Sequence, residues 1–212
     1  MIIGIVSQKG GVGKSTLTRL IAREYAASNW KVKIADMDSN QGTSTRWNML
    51  RNDNQVEPAV KTEQYRSVPD AVSDYNNGDF HLLIFDGAPA ASKQTLAIAK
   101  HSDLIILPTG ISADDLEPTV RLAHELVKNG IQREHIIVVF CRVGDSHSEI
   151  EEARSYISMA GYISVEASLS ERVAYRRAHD SGRSVSETSF ASLNNKAALV
   201  AQEIVNHSKN KS

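Results

Sequence analysis

A glycine-rich stretch near the start of the chain, KGGVGKST at residues 9–16, has the composition of a loop that binds phosphate. Glycines let the backbone adopt positive φ angles, so that successive N–H groups can point at one anion. Lys14 is placed to reach the β- and γ-phosphates of a nucleotide, Ser15 to ligate Mg²⁺, and Thr16 to bond the α-phosphate. The backbone of the loop completes this predicted site, with Gly10, Gly11, Val12 and Gly13 as binding residues and positive φ expected at the three glycines. A simple glycine turn between a strand and a helix is the alternative.

The elements that would position this loop alternate along the chain as short apolar runs and longer amphipathic segments. Six runs, apolar on successive residues as in strands covered on both faces, are predicted strands: 2–7, 32–36, 81–86, 104–108, 135–142 and 163–167. Seven segments are predicted helices: 14–28, about 68–76, 92–101, 114–129, 148–160, 171–180 and 196–209. Residues 48–67 are polar and are predicted to hold one short strand at about 56–61. This rhythm predicts one α/β domain over residues 1–212, with a mainly parallel, doubly wound sheet flanked by helices.

Composition excludes several classes of protein. The 212 residues are 41% hydrophobic, enough for a full core, and their 24 basic and 25 acidic residues create no strong overall field. The only cysteine, Cys141, lies in the apolar run HIIVVFCRV, so a disulfide framework or an iron–sulfur cluster within one chain is excluded, and a buried thiol is expected. No apolar stretch is long enough to cross a bilayer, which favours a cytoplasmic protein.

Two further motifs place carboxylates at the carboxyl ends of predicted strands, where parallel sheets bind ligands. IADMDSN, at residues 34–40, carries Asp36 and Asp38, and HLLIFDGAP, at residues 81–89, carries Asp86. Carboxylates at this edge can hold the shell of Mg²⁺ and orient water. For the pair Asp36 and Asp38, an exposed turn at the end of the strand is the alternative.

Together the loop and these motifs resemble those of the ParA/MinD group of P-loop ATPases, whose deviant Walker A box has a lysine directly before Gly-Gly. The matches run in order from residue 3 to residue 185, although Gln8 stands where the general P-loop has a glycine. The resemblance implies that Lys9 is the signature lysine of the group. In an ATP-bound dimer it would reach the phosphates held by the other subunit and stabilise the transition state, as an arginine finger does. A solvated surface lysine is the alternative.

The same resemblance assigns roles to the carboxylates. It implies that Asp38 polarises the attacking water, that Asp36 supports the metal through water, and that Asp86, the Walker B residue, bonds a magnesium-bound water. The predicted catalytic residues are Lys9, Lys14 and Asp38, and the predicted metal residues are Ser15, Asp36 and Asp86. The expected cofactors are ATP or ADP and Mg²⁺.

Three other segments carry weaker parts of the resemblance. Residues 39–41, Ser-Asn-Gln, stand where the group usually has Pro-Gln, so this switch segment is altered by about one residue. Arg142 follows a strand at the position where the group contacts adenine. Asp114 or Asp115 either belongs to a motif of the group or caps the helix that follows.

Within the group, the chain resembles the small ParA branch, of the Soj and ParF type, which segregates plasmid or chromosomal DNA. Nitrogenase iron proteins need cysteines that this chain lacks, and the tail ALVAQEIVNHSKNKS lacks the bulky apolar residues of MinD-like membrane helices. The resemblance therefore implies a slow ATPase that forms a homodimer with ATP, binds DNA without sequence preference on the nucleoid, and is stimulated by a ParB-like, centromere-binding partner. No stable membrane association is expected.

Four arginines near the C-terminus are the candidate DNA contacts, because phosphate contacts by basic residues need no base readout: Arg172, Arg176, Arg177 and Arg183. From Arg172 onward, the sequence contains seven Lys or Arg residues and three acidic residues. Surface ion pairs or a place at the dimer seam are the alternative for these arginines. An alternative for the whole protein is a related ATPase that positions a protein cargo or a membrane-linked complex rather than DNA, and a weaker one is a ligase of the dethiobiotin synthetase type, which would not need Lys9.

Overall fold

The computed structural model describes residues 1–38, 41–88 and 93–209. They form an eight-stranded sheet whose paired strands all run parallel, in the order β3-β2-β4-β1-β5-β6-β7, with β8 also paired to β6. The strands are β1 (Ile2–Ile5), β2 (Val32–Asp36), β3 (Lys61–Gln64), β4 (Leu82–Asp86), β5 (Leu104–Thr109), β6 (Ile136–Val143), β7 (Ile163–Ser164) and β8 (Leu169–Ser170).

Helices cover both faces of this sheet. They are α1 (Lys14–Ala27), α2 (Thr43–Asp53), α3 (Val68–Asn77), α4 (Lys93–His101), α5 (Ala113–Lys128), α6 (His147–Met159), α7 (Val173–Asp180) and α8 (Ala191–Lys209), with a short 3₁₀ turn at Arg133–His135. One buried cluster packs α1 and α8 against the sheet, and a second packs α3 to α6 against the opposite face. The predicted α/β fold with a parallel, doubly wound sheet is confirmed. None of the helices within the described ranges is long and apolar enough to cross a bilayer.

The register of the central strands brings the functional segments together. Ile5 at the end of β1 lies beside Asp86 at the end of β4, and Asp86 lies beside Asp36 at the end of β2. The glycine-rich loop after β1 and the two carboxylate motifs therefore share one edge of the sheet.

Residues 48–67 do contain one short strand, but its predicted position, at about 56–61, is wrong. Residues 43–53 form α2, and the strand β3 occupies Lys61–Gln64 instead. The helix has no apolar stripe, because its buried side chains include the polar Ser44, Asn48 and Arg51 beside Trp47. A pattern of apolar spacing could not reveal a helix whose buried face is mostly polar.

Two other predictions needed correction. Of the strand predicted at 163–167, only Ile163–Ser164 forms a strand, β7, and a further short strand, β8, follows at Leu169–Ser170. The two pair with separate parts of β6, with an irregularity in the register at β8. The last helix begins at Ala191, five residues before the predicted 196, because its first turns are polar and carry no apolar periodicity. The remaining elements agree with their predicted bounds to within two residues at each end.

Candidate nucleotide-binding site

The loop between β1 and α1 is held in its conformation by two glycines. Gly11 has a φ of 74° and Gly13, the residue that caps α1, has a φ of 109°. A Cβ added at Gly13 would lie 2.9 Å from the Cβ of Cys141, so no larger residue fits. Gly10 does not adopt the positive φ expected for it, because the turn needs the left-handed region at only two positions.

A cavity of about 250 Å³ opens beside this loop. Its walls come from the loop, the ends of β2, β4 and β6, and the start of α2: Gly10, Gly11, Gly13, Lys14, Ser15, Thr16, Asp38, Gln41, Thr43, Asp86, Gly87 and Arg142. A second cavity of about 260 Å³ shares Gly11, Gly13, Thr16 and Arg142 with the first and extends to α7. Most of the predicted nucleotide-site residues therefore lie together, whereas Lys9, Val12 and Asp36 do not line either cavity.

Lys14 lines the first cavity. It is buried, and its Nζ donates a hydrogen bond of 3.0 Å to the carbonyl oxygen of Lys9. Burial lowers the pKa of Lys14, while the nearby carboxylates of Asp86 and Asp38 act to raise it. An anion in the cavity would relieve this desolvation, because it would replace a weak carbonyl partner by a full opposite charge.

Hydroxyl and carboxylate oxygens meet where the start of α2 contacts the loop and the end of β4. Ser15 Oγ and Thr43 Oγ1 are 2.9 Å apart, and Ser44 Oγ donates to Asp86 Oδ2 at 2.5 Å. The second carboxylate oxygen of Asp86 is buried and has no hydrogen-bond partner in the part of the chain described, and burial raises the pKa of this carboxyl group. A buried acceptor without a donor, beside two hydroxyl groups, fits a hard cation such as Mg²⁺ that keeps part of its water shell.

Asp36, at the end of β2, has a different environment from Asp86, the predicted metal residue at the end of β4. It is fully buried, and its Oδ2 accepts hydrogen bonds from the backbone N–H of Thr45, at 2.9 Å, and from the Thr45 hydroxyl, at 3.0 Å. Its Oδ1 accepts from the N–H of Asp38 at 3.2 Å. The carboxylate therefore anchors the first turn of α2 and positions Asp38, and it does not face the cavity.

Sequence reasoning missed the hydroxyl groups of Thr43 and Ser44. The signal was available as GTST at residues 42–45, a run of hydroxyl residues directly after the Asp-x-Asp motif. The residues just before this run also lie at the site: Asp38 accepts a hydrogen bond of 3.1 Å from the N–H of Gln41, and both residues line the first cavity. The altered residues Ser39 and Asn40, on which part of the prediction falls, lie outside the described residues.

Lys9 points away from the cavity, toward the start of α5. Its Nζ lies 2.6 Å from Asp115 Oδ1 and donates to the carbonyl oxygen of Asp114 at 2.9 Å. The helix is capped by neither acid: Ser112 occupies the N-cap position, and its hydroxyl donates to Asp115 Oδ2 at 2.9 Å. Both acids nevertheless lie in the first turn of α5, where the capping alternative expected them, and the Asp115 carboxylate also binds Lys9. Burial acts to raise the pKa of Asp115, but the bonds from Lys9 and Ser112 lower it overall.

Arg142 lies between the two cavities. Its φ of 58° is unusual for a residue other than glycine. Nη1 donates to the carbonyl oxygen of Gly11 at 3.0 Å, and Nη2 lies 3.3 Å from both carboxylate oxygens of Glu171. The guanidinium thus spans from the phosphate-binding loop to the segment before α7, beside the space where a base would extend.

The four C-terminal arginines do not share one face. Arg172 pairs with Asp145, and Arg176 lies 3.8 Å from Glu171 at the second cavity. Neither Arg177 nor Arg183 forms an ion pair with any residue that the structure describes. The ion-pair alternative thus describes two of the four, and the other two have exposed, uncompensated charges.

Two solved structures have the same fold as this chain. MinD of Pyrococcus horikoshii OT3, the septum site-determining protein in complex with Mg-ADP, superposes with a TM-score of 0.73 at 18% identity, covering 100% of this chain and 98% of that one. A putative plasmid partition protein of Borrelia burgdorferi B31 bound to AMPPNP superposes with a TM-score of 0.71 at 16% identity, covering 97% and 98%. At these identities the likeness shows the fold alone.

Sequence comparison identifies the family. The chain is 26% identical over 200 residues to the chromosome partitioning protein ParA of Myxococcus xanthus (strain DK1622), which covers 73% of this chain and 71% of the relative. The family model described as the CobQ/CobB/MinD/ParA nucleotide binding domain matches residues 3–185. The match spans most of the chain and includes the loop, both carboxylate motifs and Arg142. The chain therefore belongs to the CobQ/CobB/MinD/ParA nucleotide-binding domain family.

Proposed function

We propose that the protein is an Mg²⁺-dependent ATPase that acts as a nucleotide-gated dimerisation switch in DNA partition. One observation carries the proposal: a second lysine, Lys9, lies beside the first cavity but outside it, in a partly exposed ion pair with Asp115. Lys14 already supplies the cation inside the cavity. The outward position of Lys9 suits a residue that serves a nucleotide bound by another subunit.

Nucleotide binding would use groups that are already in place. The loop and the first residues of α1 line the cavity, where their N–H groups would bind phosphate, and Lys14 would exchange the Lys9 carbonyl for phosphate oxygens. Ser15, Thr43 and Asp86 would hold Mg²⁺, with Asp86 acting through water. The cation would neutralise charge that develops on the phosphates during hydrolysis.

Dimerisation would follow from the charge of the triphosphate. An ion pair as exposed as that of Lys9 and Asp115 contributes no more than about 1 kcal/mol, so a bound triphosphate on a second subunit can compete for the ammonium group. A diphosphate carries less charge and ends short of the γ position, so ADP would hold the dimer less well. Asp38, fixed by the N–H of Gln41, would polarise the attacking water.

The proposed role in partition is supported by the relative in Myxococcus xanthus, a chromosome partitioning protein. In this role the ATP dimer would bind DNA without sequence preference on the nucleoid, and a ParB-like, centromere-binding partner would stimulate hydrolysis. Arg172, Arg176, Arg177 and Arg183 are the proposed contacts. Arg177 and Arg183 would contribute most, because the other two already have acidic partners.

Sizing the protein tests the switch and the DNA contact together. We expect a monomer with ADP, a dimer with a slowly hydrolysed ATP analogue, and retention of random duplex DNA at moderate salt only with the analogue. The DNA retention should weaken steeply with added salt, as phosphate contacts require. Equal mass and equal DNA retention with the two nucleotides would rule the proposal out.

A related ATPase that positions a protein cargo is the second candidate. The ion pairs of Arg172 and Arg176 favour it, because they leave only two uncompensated arginines near the C-terminus for DNA. In the same experiment, a dimer that forms with the ATP analogue but retains no DNA would select this candidate.

A further inference from the structure

A groove between α7 and α8 combines an apolar floor with a basic rim. Its volume is about 650 Å³, the largest of the cavities described above. Phe190 and Val173 line it with 57% and 54% of their surface exposed, and Leu193 lies beside them. Exposed aromatic and branched side chains that share a groove are typical of a surface that another molecule covers.

The charge of this groove is positive. Arg172, Arg177 and Arg183 lie along it, and the last two have no ion-pair partner within the described ranges. The groove also contains Glu187, but this carboxylate is 7% exposed and already binds Arg51, at 2.8 Å, and Arg23, at 3.3 Å. Its charge is therefore compensated inside the protein, and the rim presents a net positive field to an occupant.

We propose that the groove is the docking site for an acidic, amphipathic segment of a partner protein. Carboxylates of that segment would pair with Arg177 and Arg183, and its apolar side chains would cover Phe190 and Val173. Duplex DNA matches only half of these features, because its phosphate backbone offers no apolar group to cover Phe190. An amphipathic protein segment, which presents charged and apolar groups on one face, matches both.

The helix α2 joins the groove to the candidate nucleotide site. Trp47 Nε1 donates to the carbonyl oxygen of Arg183 at 3.0 Å, and Arg51 donates to the carbonyl of Gly182 at 3.0 Å and to Glu187. Gly182, with a φ of 72°, approaches the backbone of α2 so closely that no Cβ fits there. The segment between α7 and α8 is thus seated on α2.

The other end of α2 contacts the phosphate side. Thr43 bonds Ser15, and Ser44 bonds Asp86, so the first turn of the helix forms part of the wall that would hold Mg²⁺. An occupant of the groove could therefore alter the nucleotide site through α2 without touching it. This regulatory step, unlike docking itself, rests on the proposed function.

Docking can be tested with peptides of known sequence. Random peptides about 16 residues long, displayed on phage, are selected against the wild-type protein, and the best are synthesised with a fluorescent label. We expect the selected sequences to be rich in Asp or Glu and in Leu or Phe. Their affinity should fall about tenfold or more in the double variant Arg177→Glu/Arg183→Glu and in Phe190→Ala.

A matched control is Lys100→Glu/Lys128→Glu, which makes the same change of charge at exposed positions on α4 and α5. Affinity in this control should stay within about twofold of the wild type. Peptides that bind the groove double variant as tightly as the wild type would overturn the proposal. A 20-base-pair duplex, which the proposed function also places at Arg177 and Arg183, should compete with the peptides but should bind Phe190→Ala as tightly as the wild type. Peptides that are equally insensitive to Phe190→Ala would overturn the proposal, because the groove would then bind charge alone, as it would with DNA.

Fluorescence of Trp47 reports on the coupling separately. In a Trp30→Phe background, Trp47 is the only tryptophan, and its indole N–H bonds Arg183 at the groove. We expect the selected peptide to change this emission and to change the affinity for Mg-ATP, and the Arg177→Glu/Arg183→Glu variant to lose both responses. Peptide binding without either change would overturn the coupling and leave docking in place. A wild-type protein that binds the peptides but does not dimerise with ATP would instead indicate failure of the proposed function.

Discussion

Among the ion pairs that join distant segments of the described residues, two differ chiefly in their exposure to solvent. Arg51 and Glu187, which link α2 to the segment before α8, are 0% and 7% exposed. Lys9 and Asp115, which link the phosphate-binding loop to α5, are 42% and 24% exposed. The first pair is part of the core, and the second can exchange its partners with solvent or with a ligand.

The surroundings of the two pairs explain why they have different consequences. Arg51 uses its remaining donors on the carbonyl groups of Pro58 and Gly182, both at 3.0 Å, and Glu187 also accepts from the N–H of Ser184 at 2.7 Å. Removing one member of such a network leaves a buried charge without its partner, which costs several kcal/mol. An exposed pair costs less than about 1 kcal/mol to break. The buried pair therefore fixes geometry, and the exposed pair leaves Lys9 available.

Arg51→Ala should have the largest effect on stability. We expect the free energy of unfolding to fall by about 3–5 kcal/mol, because the buried carboxylate of Glu187 would lose Arg51 and keep only Arg23 as a cationic partner. Urea unfolding followed by far-UV circular dichroism measures the change. The double variant Arg51→Met/Glu187→Leu is the control, and it should recover much of the loss, since it removes both charges together. A loss below about 1 kcal/mol in the single variant would contradict the comparison.

His179 on α7 extends the comparison to a buried group that lacks a partner. Its Nε2 is buried without a hydrogen bond to any described residue, and burial, with a smaller contribution from Arg19, lowers its pKa from 6.5 to about 3. The neutral form is favoured in the folded state, so the unfolded state binds the extra proton as the pH falls below 6.5. Stability from this group is complete above pH 6.5 and is lost as the pH falls toward 3.

His179→Phe should remove that pH dependence. Between about pH 6 and pH 4 the unfolding free energy of the wild type should fall faster than that of the variant, by up to about 1.4 kcal/mol per pH unit. Urea unfolding at several pH values measures both slopes, with His101→Phe, at an exposed position on α4, as the control. Identical slopes for the wild type and His179→Phe would show that the imidazole is not held neutral by burial.

Asp115→Ala should have the smallest effect on stability. The exposed pair contributes less than about 1 kcal/mol, and the difference should shrink further in high salt. The same variant should dimerise at a lower concentration of ATP analogue, because Lys9 no longer has to leave an acid. Urea unfolding and sedimentation across a nucleotide titration measure the two effects. A loss of several kcal/mol in Asp115→Ala would contradict the comparison, because the exposed pair would then stabilise the fold as much as the buried pair does.

The sequence predicted the features that depend on local pattern. The apolar strands, the phosphate-binding loop and the positions of Asp38 and Asp86 follow from runs of residues that lie close together in the chain. The helix α2 could not be predicted, because it is held by polar contacts to partners far away, such as Arg51 to Glu187 and Trp47 to Arg183. Apolar periodicity, which found the other helices, carries no information on such contacts.

The candidate site shows the same division. The motifs predicted which residues gather at the sheet edge, but not which way their side chains point. Asp36 turns under α2 to bond Thr45, and Lys9 turns outward to Asp115, a residue 106 positions away. These orientations depend on neighbours that only the fold brings together.

Dimerisation of Lys9→Ala tests the central claim most directly. Sedimentation is measured for the wild type and the variant with ADP and with a slowly hydrolysed ATP analogue, and fluorescence titration checks that both still bind nucleotide. The account predicts that the analogue converts the wild type to a dimer and leaves Lys9→Ala a monomer with nucleotide bound. An ATP-dependent dimer of Lys9→Ala as stable as that of the wild type would contradict it.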